Sequence, residues 1–186
     1  PQPPIWLDDS TLLAAAEDRG DTHLYELTID GTDPVAKTSG PSSLTGFSAA
    51  DGVLARTVTT VDRSPELWVD RADGETRQLT HLSREWRSWE KFTVPCADGS
   101  DEIDAWIMCP DGVEDGGSFP VLLNVHGGPF TQYGESFFDE AQMQAAAGVV
   151  VIMSNPRGGS GRHTEWGQSI NGPKHTKVPG TGWGSV

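Results

Sequence analysis

Residues 1–82 repeat themselves at an offset of 43. Asp8, Leu24, Tyr25 and Gly31 are matched by Asp51, Leu67, Trp68 and Gly74. Each copy carries an apolar run (Thr11–Ala16, Val53–Thr59), then an aromatic-bearing run (Leu24–Leu27, Glu66–Val69), then an Asp-Gly pair (Asp30-Gly31, Asp73-Gly74). A period of about 40–45 residues, made of short strands and Asp-Gly turns, is the sequence form of a four-stranded propeller blade. Residues 1–82 are therefore read as the last blades of a β-propeller. Two blades cannot close a ring, so further blades are expected upstream of Pro1.

The pattern changes after residue 82. The stretch 83–91, with Trp86 and Trp89 among charged residues, reads as a connector whose aromatics pack at a junction. Phe92–Pro95 and Ile103–Met108 then flank the turn-rich Cys96–Glu102 as a hairpin. Val121–Val125 is a short apolar run suited to a strand buried on both faces of a parallel sheet. Phe137–Ala147 carries helix formers with Phe137, Phe138, Ala141 and Ala145 on one face, and Gly148 supplies the stop. Val149–Met153 is a second buried strand. Strand, helix and strand make a βαβ unit, the signature of an α/β sheet with right-handed crossovers.

Composition limits what such a chain can bind. There are 27 acidic against 13 basic residues, a net charge of −14, which repels nucleic acid and anionic membranes. No apolar run reaches the roughly 18–20 residues of a membrane-spanning helix, and no signal segment opens the chain, so a cytoplasmic protein is expected. Whether it forms a homo-oligomer is left open. Cys96 and Cys109 lack CxxC spacing and read as free, packed thiols. His163 and His175 have no HExxH partner and read as loop residues rather than metal ligands.

Loops leaving the carboxyl ends of strands are where an α/β sheet gathers its chemistry. His126-Gly127-Gly128-Pro129 follows the first apolar strand. In α/β-hydrolases the loop at this place supplies one backbone N–H of the oxyanion hole, and glycine lets that backbone approach a reacting carbonyl. Asn155-Pro156-Arg157-Gly158-Gly159-Ser160-Gly161 follows the second strand. Arg157 suits either a clamp on a substrate carboxylate or an ion pair that fixes the loop. The run matches neither GxxxxGK[ST] nor GxGxxG, so phosphate binding is not expected. No serine stands in a GxSxG elbow: Ser48, Ser136, Ser160 and Ser169 each have the first glycine and lack the second.

Together these residues resemble the prolyl oligopeptidase family of serine peptidases, in its acylaminoacyl-peptidase and dipeptidyl-aminopeptidase-like branch. The resemblance runs through Ala97-Asp98-Gly99, Ile103-Asp104-Ala105-Trp106, Pro120–Pro129, Gln132-Tyr133-Gly134, Asn155-Pro156-Arg157-Gly158 and Gly182-Trp183-Gly184. It implies a propeller that filters substrates by size above an α/β-hydrolase domain, and a peptidase of short or N-blocked peptides. It further implies that residues 92–186 are the N-terminal part of that hydrolase domain, with Gly128 as the oxyanion donor, Gly127 supporting it and His126 lining the substrate site, while Arg157 stays a substrate-binding candidate on its own chemistry. His126 stands where some relatives carry a tyrosine whose hydroxyl joins the oxyanion hole. Gly159, His163 and the Lys174–Thr181 segment depart from the family pattern. No cofactor is implied, and the partner is a peptide substrate. The nucleophile, acid and histidine are expected beyond Val186.

Two rivals use the same features. An esterase or lipase of the hydrolase fold would suit the glycine loop but not the repeat, and a propeller-based binding protein with a degenerate hydrolase remnant would suit the repeat. An acidic globular protein without catalysis is the plainest reading. A protein of only these 186 residues is expected to show no peptidase activity, and serine-dependent turnover by it would refute this.

Overall fold

The computed structural model describes residues 2–170. His175, the Lys174–Thr181 segment and the Gly182-Trp183-Gly184 motif lie outside the described residues. The chain divides into two compact units. The first takes the residues up to Trp86 together with Glu135–Phe137, and the second takes Arg87–Gly134 and the chain from Phe138 onward.

The first unit holds eight strands: β1 (Ile5–Trp6), β2 (Thr11–Asp18), β3 (Asp21–Thr28), β4 (Val35–Ala36), β5 (Ser43–Ala50), β6 (Val53–Thr60), β7 (Arg63–Arg71) and β8 (Thr76–Gln78). They form two antiparallel four-stranded meanders, β1–β4 and β5–β8, joined by a single parallel pairing of Thr22 with Ser43. The repeat recurs in their hydrogen bonds, with the leucines 43 residues apart and their partners 42 apart. Leu24 donates its N–H to Thr38 Oγ1 at 2.9 Å, and Leu67 donates to Thr80 Oγ1 at 2.8 Å. The carbonyls of the same two leucines accept from Lys37 and Leu79 N–H, each at 2.8 Å.

Turn chemistry sets the registers. Asp51 and Gly52, at φ 50° and 73°, join the paired residues Ala50 and Val53, as a two-residue hairpin loop with both φ positive requires. Leu13, Leu24, Leu44 and Phe47 form the core of this unit, all less than a tenth exposed. Glu66 is also buried, yet it keeps its charge: the Thr80 hydroxyl and the Ser83 N–H donate to it and hold its carboxyl below the usual range.

The second unit is a four-stranded mixed sheet in the order β11-β12-β10-β9. Its strands are β9 (Glu90–Pro95), β10 (Glu102–Met108), β11 (Val121–Asn124) and β12 (Val150–Asn155). The β9–β10 hairpin is antiparallel, β10 also runs antiparallel to β12, and β11 lies parallel to β12. Helix α1 (Asp139–Ala146) makes the crossover, and a short helix α2 (Thr164–Gln168) follows β12. Trp106, Met108, Val151 and Met153 face Ala141 and Ala145 of α1, with Trp89, Tyr133 and Phe138 packed around them.

β9 begins at Glu90, within the expected connector, β12 runs on to Asn155, and the helix and the first apolar strand also differ from the sequence reading. The helix begins at Asp139 rather than Phe137, with Asp139 and Glu140 in its first turn where the helix dipole favours acids. The Val121–Val125 run is not buried on both faces: Val121, Leu123 and Val125 are 63%, 56% and 71% exposed. Hydropathy reports what a strand is made of, whereas burial needs a covering layer. Among the described residues β11 has one hydrogen-bonded neighbour, β12.

Leu24, fully buried at the centre of the first core, gives a direct test of the packing. Leu24→Ala is expected to lower unfolding stability by about 2–5 kcal/mol, read by urea denaturation.

Candidate active site

The loop after β11 carries His126, Gly127 and Gly128 at a strand's carboxyl end. Gly128 adopts φ 121°, and a Cβ there would stand 3.0 Å from Phe130 N and 3.1 Å from Thr131 Cγ2. Only glycine fits this backbone. Gly127 has nothing within 4 Å of a Cβ position, and both glycines are exposed. No side chain of their own stands between these two residues' backbone and solvent.

His126 donates from Nδ1 to the Gly127 carbonyl at 3.0 Å, which leaves Nε2 as the acceptor nitrogen. That Nε2 is buried and has no hydrogen-bond partner. The Tyr133 ring meets the imidazole edge-on, with centroids 5.3 Å apart. Burial, and then the charge of Glu140, push the Tyr133 phenol upward, so it stays a neutral hydroxyl.

The loop after β12 lies against the glycine loop. Ser160 donates its N–H to the Thr131 carbonyl at 2.9 Å. Gly159 leaves no room for a side chain, since a Cβ would stand 3.0 Å from the Thr131 carbonyl oxygen. Asn155 is 2% exposed and binds both backbone groups of Tyr133, accepting its N–H on Oδ1 and donating from Nδ2 to its carbonyl, each at 2.7 Å. Sequence reading placed Asn155 in a motif without giving it a role. An amide at the last residue of a strand that precedes a glycine loop was the available signal.

Arg157 is taken up by the β9–β10 turn. Its two terminal nitrogens donate to Asp98 at 2.8 and 2.7 Å, and one also reaches the Ser100 hydroxyl. The Arg157 guanidinium, helped by the Ser100 N–H and hydroxyl, holds the Asp98 carboxyl far below the usual carboxylate range. Arg162 makes a second link, from Nε and Nη2 to Asp104 at 3.0 and 2.8 Å and from Nη1 to Asp101 at 2.9 Å. Among the described residues, no group of three His, Cys, Asp or Glu side chains is placed to hold a metal ion.

The βαβ unit, with one glycine loop at the end of its first strand and another after its second, makes this an α/β sheet, a class that binds ligands at the carboxyl ends of its strands. No family model matches the chain. The uncharacterized peptidase YuxL of Bacillus subtilis is 29% identical over 178 residues, covering 92% of this chain and 27% of that protein. Pyrococcus horikoshii acylaminoacyl peptidase superposes with a TM-score of 0.77 at 27% identity, over 88% of this chain and 26% of that one. An acylaminoacyl peptidase in complex with Z-Gly-Gly-Phe-chloromethyl ketone gives 0.77 at 26% identity, over 90% of this chain and 27% of that one. The relatives are peptidases, and the likeness is to the prolyl oligopeptidase family that the motifs resemble. The chain spans about a quarter of the length of the curated relatives it matches.

The Asp98–Arg157 pair makes stability depend on pH. Folding favours the Asp98 carboxylate, so this stabilisation is complete above the ordinary carboxylate range and is lost as pH falls through the lowered folded value. Arg157→Met is expected to be less stable than wild type at neutral pH, with the gap closing in strong acid, as followed by urea denaturation across pH.

Proposed function

We propose that the chain joins the last blades of a β-propeller (1–82), through a connector (83–91), to the opening of an α/β-hydrolase domain (92–186) in a serine peptidase of short or N-blocked peptides. The observation that carries this reading is the exposed, side-chain-free backbone of Gly127 and Gly128 at the carboxyl end of β11, in a chain whose relatives are peptidases. The two repeated meanders support the propeller assignment, and the parallel β11–α1–β12 unit supports the hydrolase assignment.

In this reading a serine Oγ from outside these 186 residues attacks the peptide carbonyl while a histidine takes its proton. The Gly128 N–H meets the developing oxyanion, with Gly127 beside it. His126 lines the site. Arg157, engaged by Asp98, fixes its loop rather than clamping substrate. A peptide partner is supported by the peptidyl chloromethyl ketone held by one structural neighbour. A cytoplasmic setting suits the two free cysteines, Cys96 and Cys109.

The test is turnover by the full-length protein that contains this segment. An N-acylated amino-acid anilide is expected to be hydrolysed, with loss of activity after treatment with a serine-directed fluorophosphonate. Gly128→Ala is expected to lower kcat by roughly 10²–10³-fold. Hydrolysis of esters alone would instead support the esterase reading, and no turnover at all the binding-protein reading.

A further inference from the structure

We propose that Asn155 is a positioning residue that sets the direction of the Gly127 and Gly128 peptide groups from the neighbouring loop; this role rests on the peptidase reading above. The glycine loop is tied to β11 at one end, where the His126 imidazole donates to the Gly127 carbonyl and so bears directly on the peptide group that carries the Gly128 N–H. Its other end is fixed at Tyr133. There the Asn155 amide satisfies the N–H and the carbonyl of one residue together, both at 2.7 Å and almost wholly buried. Few side chains of this size can do so. Aspartate has no donor when ionised, leucine has neither group, and a hydroxyl is a single point.

The clamp reaches the glycines through short steps. Ser160 N–H, from the same loop as Asn155, holds the Thr131 carbonyl at 2.9 Å. Thr131 in turn donates its N–H to the Pro129 carbonyl at 2.8 Å, and its Cγ2 occupies the space a Gly128 side chain would need. Tyr133 itself carries the ring that packs on His126. A displaced Tyr133 backbone therefore moves the imidazole and turns the Gly128 N–H together. Hydrogen bonds to an oxyanion are sensitive to such misplacement, because the donor must already point at the charge when it forms.

The experiment uses the full-length protein and an N-acylated amino-acid anilide. Asn155→Ala is expected to lower kcat by roughly 10²-fold while KM changes little, the signature of a misdirected transition-state contact. Asn155→Asp keeps the acceptor for Tyr133 N–H but donates to the carbonyl only when protonated. Its kcat relative to wild type is therefore expected to rise as pH is lowered, whereas the same ratio for Asn155→Ala stays flat. In the wild-type protein the Tyr133 and Ser160 amides are expected to resist hydrogen exchange together, which needs no variant to fold.

Wild-type turnover with unchanged kcat in both variants overturns the role, as does fast exchange of the wild-type Tyr133 amide or a loss carried by KM alone. Absence of turnover by the wild-type protein overturns the peptidase reading itself, and the role with it.

Discussion

A buried carboxylate has to be paired or hydrogen-bonded, and Asp104, without exposed surface, is met by a cation. It stands on β10 in register with Asn155 of β12, and its answer is Arg162, whose Nε and Nη2 both reach Oδ2. The chain leaving β12 therefore cannot run off the sheet. It turns back within a few residues, because an uncompensated buried charge costs several kcal/mol. Trp166 then covers the guanidinium, 4.5 Å from its ring centroid. One buried charge on the hairpin thus decides where the second glycine loop lies.

That decision organises the rest of the site. With Arg162 anchored to β10 and Arg157 to Asp98, the intervening Gly158–Gly161 segment is held at both ends. Its backbone is pressed against Thr131, where Gly159 has no room for a Cβ. The two loops are thus held by two ion pairs, one amide and a serine N–H. A loop with glycines at its tip has little intrinsic order, and its geometry is as good as its anchors.

Much of this organisation could be read in the residues, for physical reasons that differ by feature. The repeat was readable because turn chemistry is local: Asp51-Gly52 can adopt two positive φ values in succession, and few residue pairs do so easily. Helix α1 and strand β12 were readable from apolar periodicity and from the stop at Gly148. The glycine loops were readable because they leave apolar strands. The partner of Arg157 was not, since Asp98 lies 59 residues away and no periodic pattern links them. The Asn155–Tyr133 clamp was hidden for the same reason. The exposure of β11 was misread because an apolar sequence does not say which neighbours it has.

The charge balance makes the same point from another side. With 27 acidic and 13 basic residues, cations are scarce, and at least six of the thirteen, Lys37, Arg56, Arg71, Arg87, Arg157 and Arg162, stand in ion pairs. Exposed pairs such as Arg71–Glu75 contribute little, since water screens them. Of the three most shielded of these arginines, Arg56 pairs with Asp70 across β6 and β7, whereas Arg157 and Arg162 both sit in the one loop that braces the candidate oxyanion site. In a chain whose net charge is −14, the surplus acid is general, whereas these two cations are placed where a loop has to be closed. Both find their acids on the β9–β10 hairpin and its turn, so the placement of these two charges fixes the course of the loop after β12.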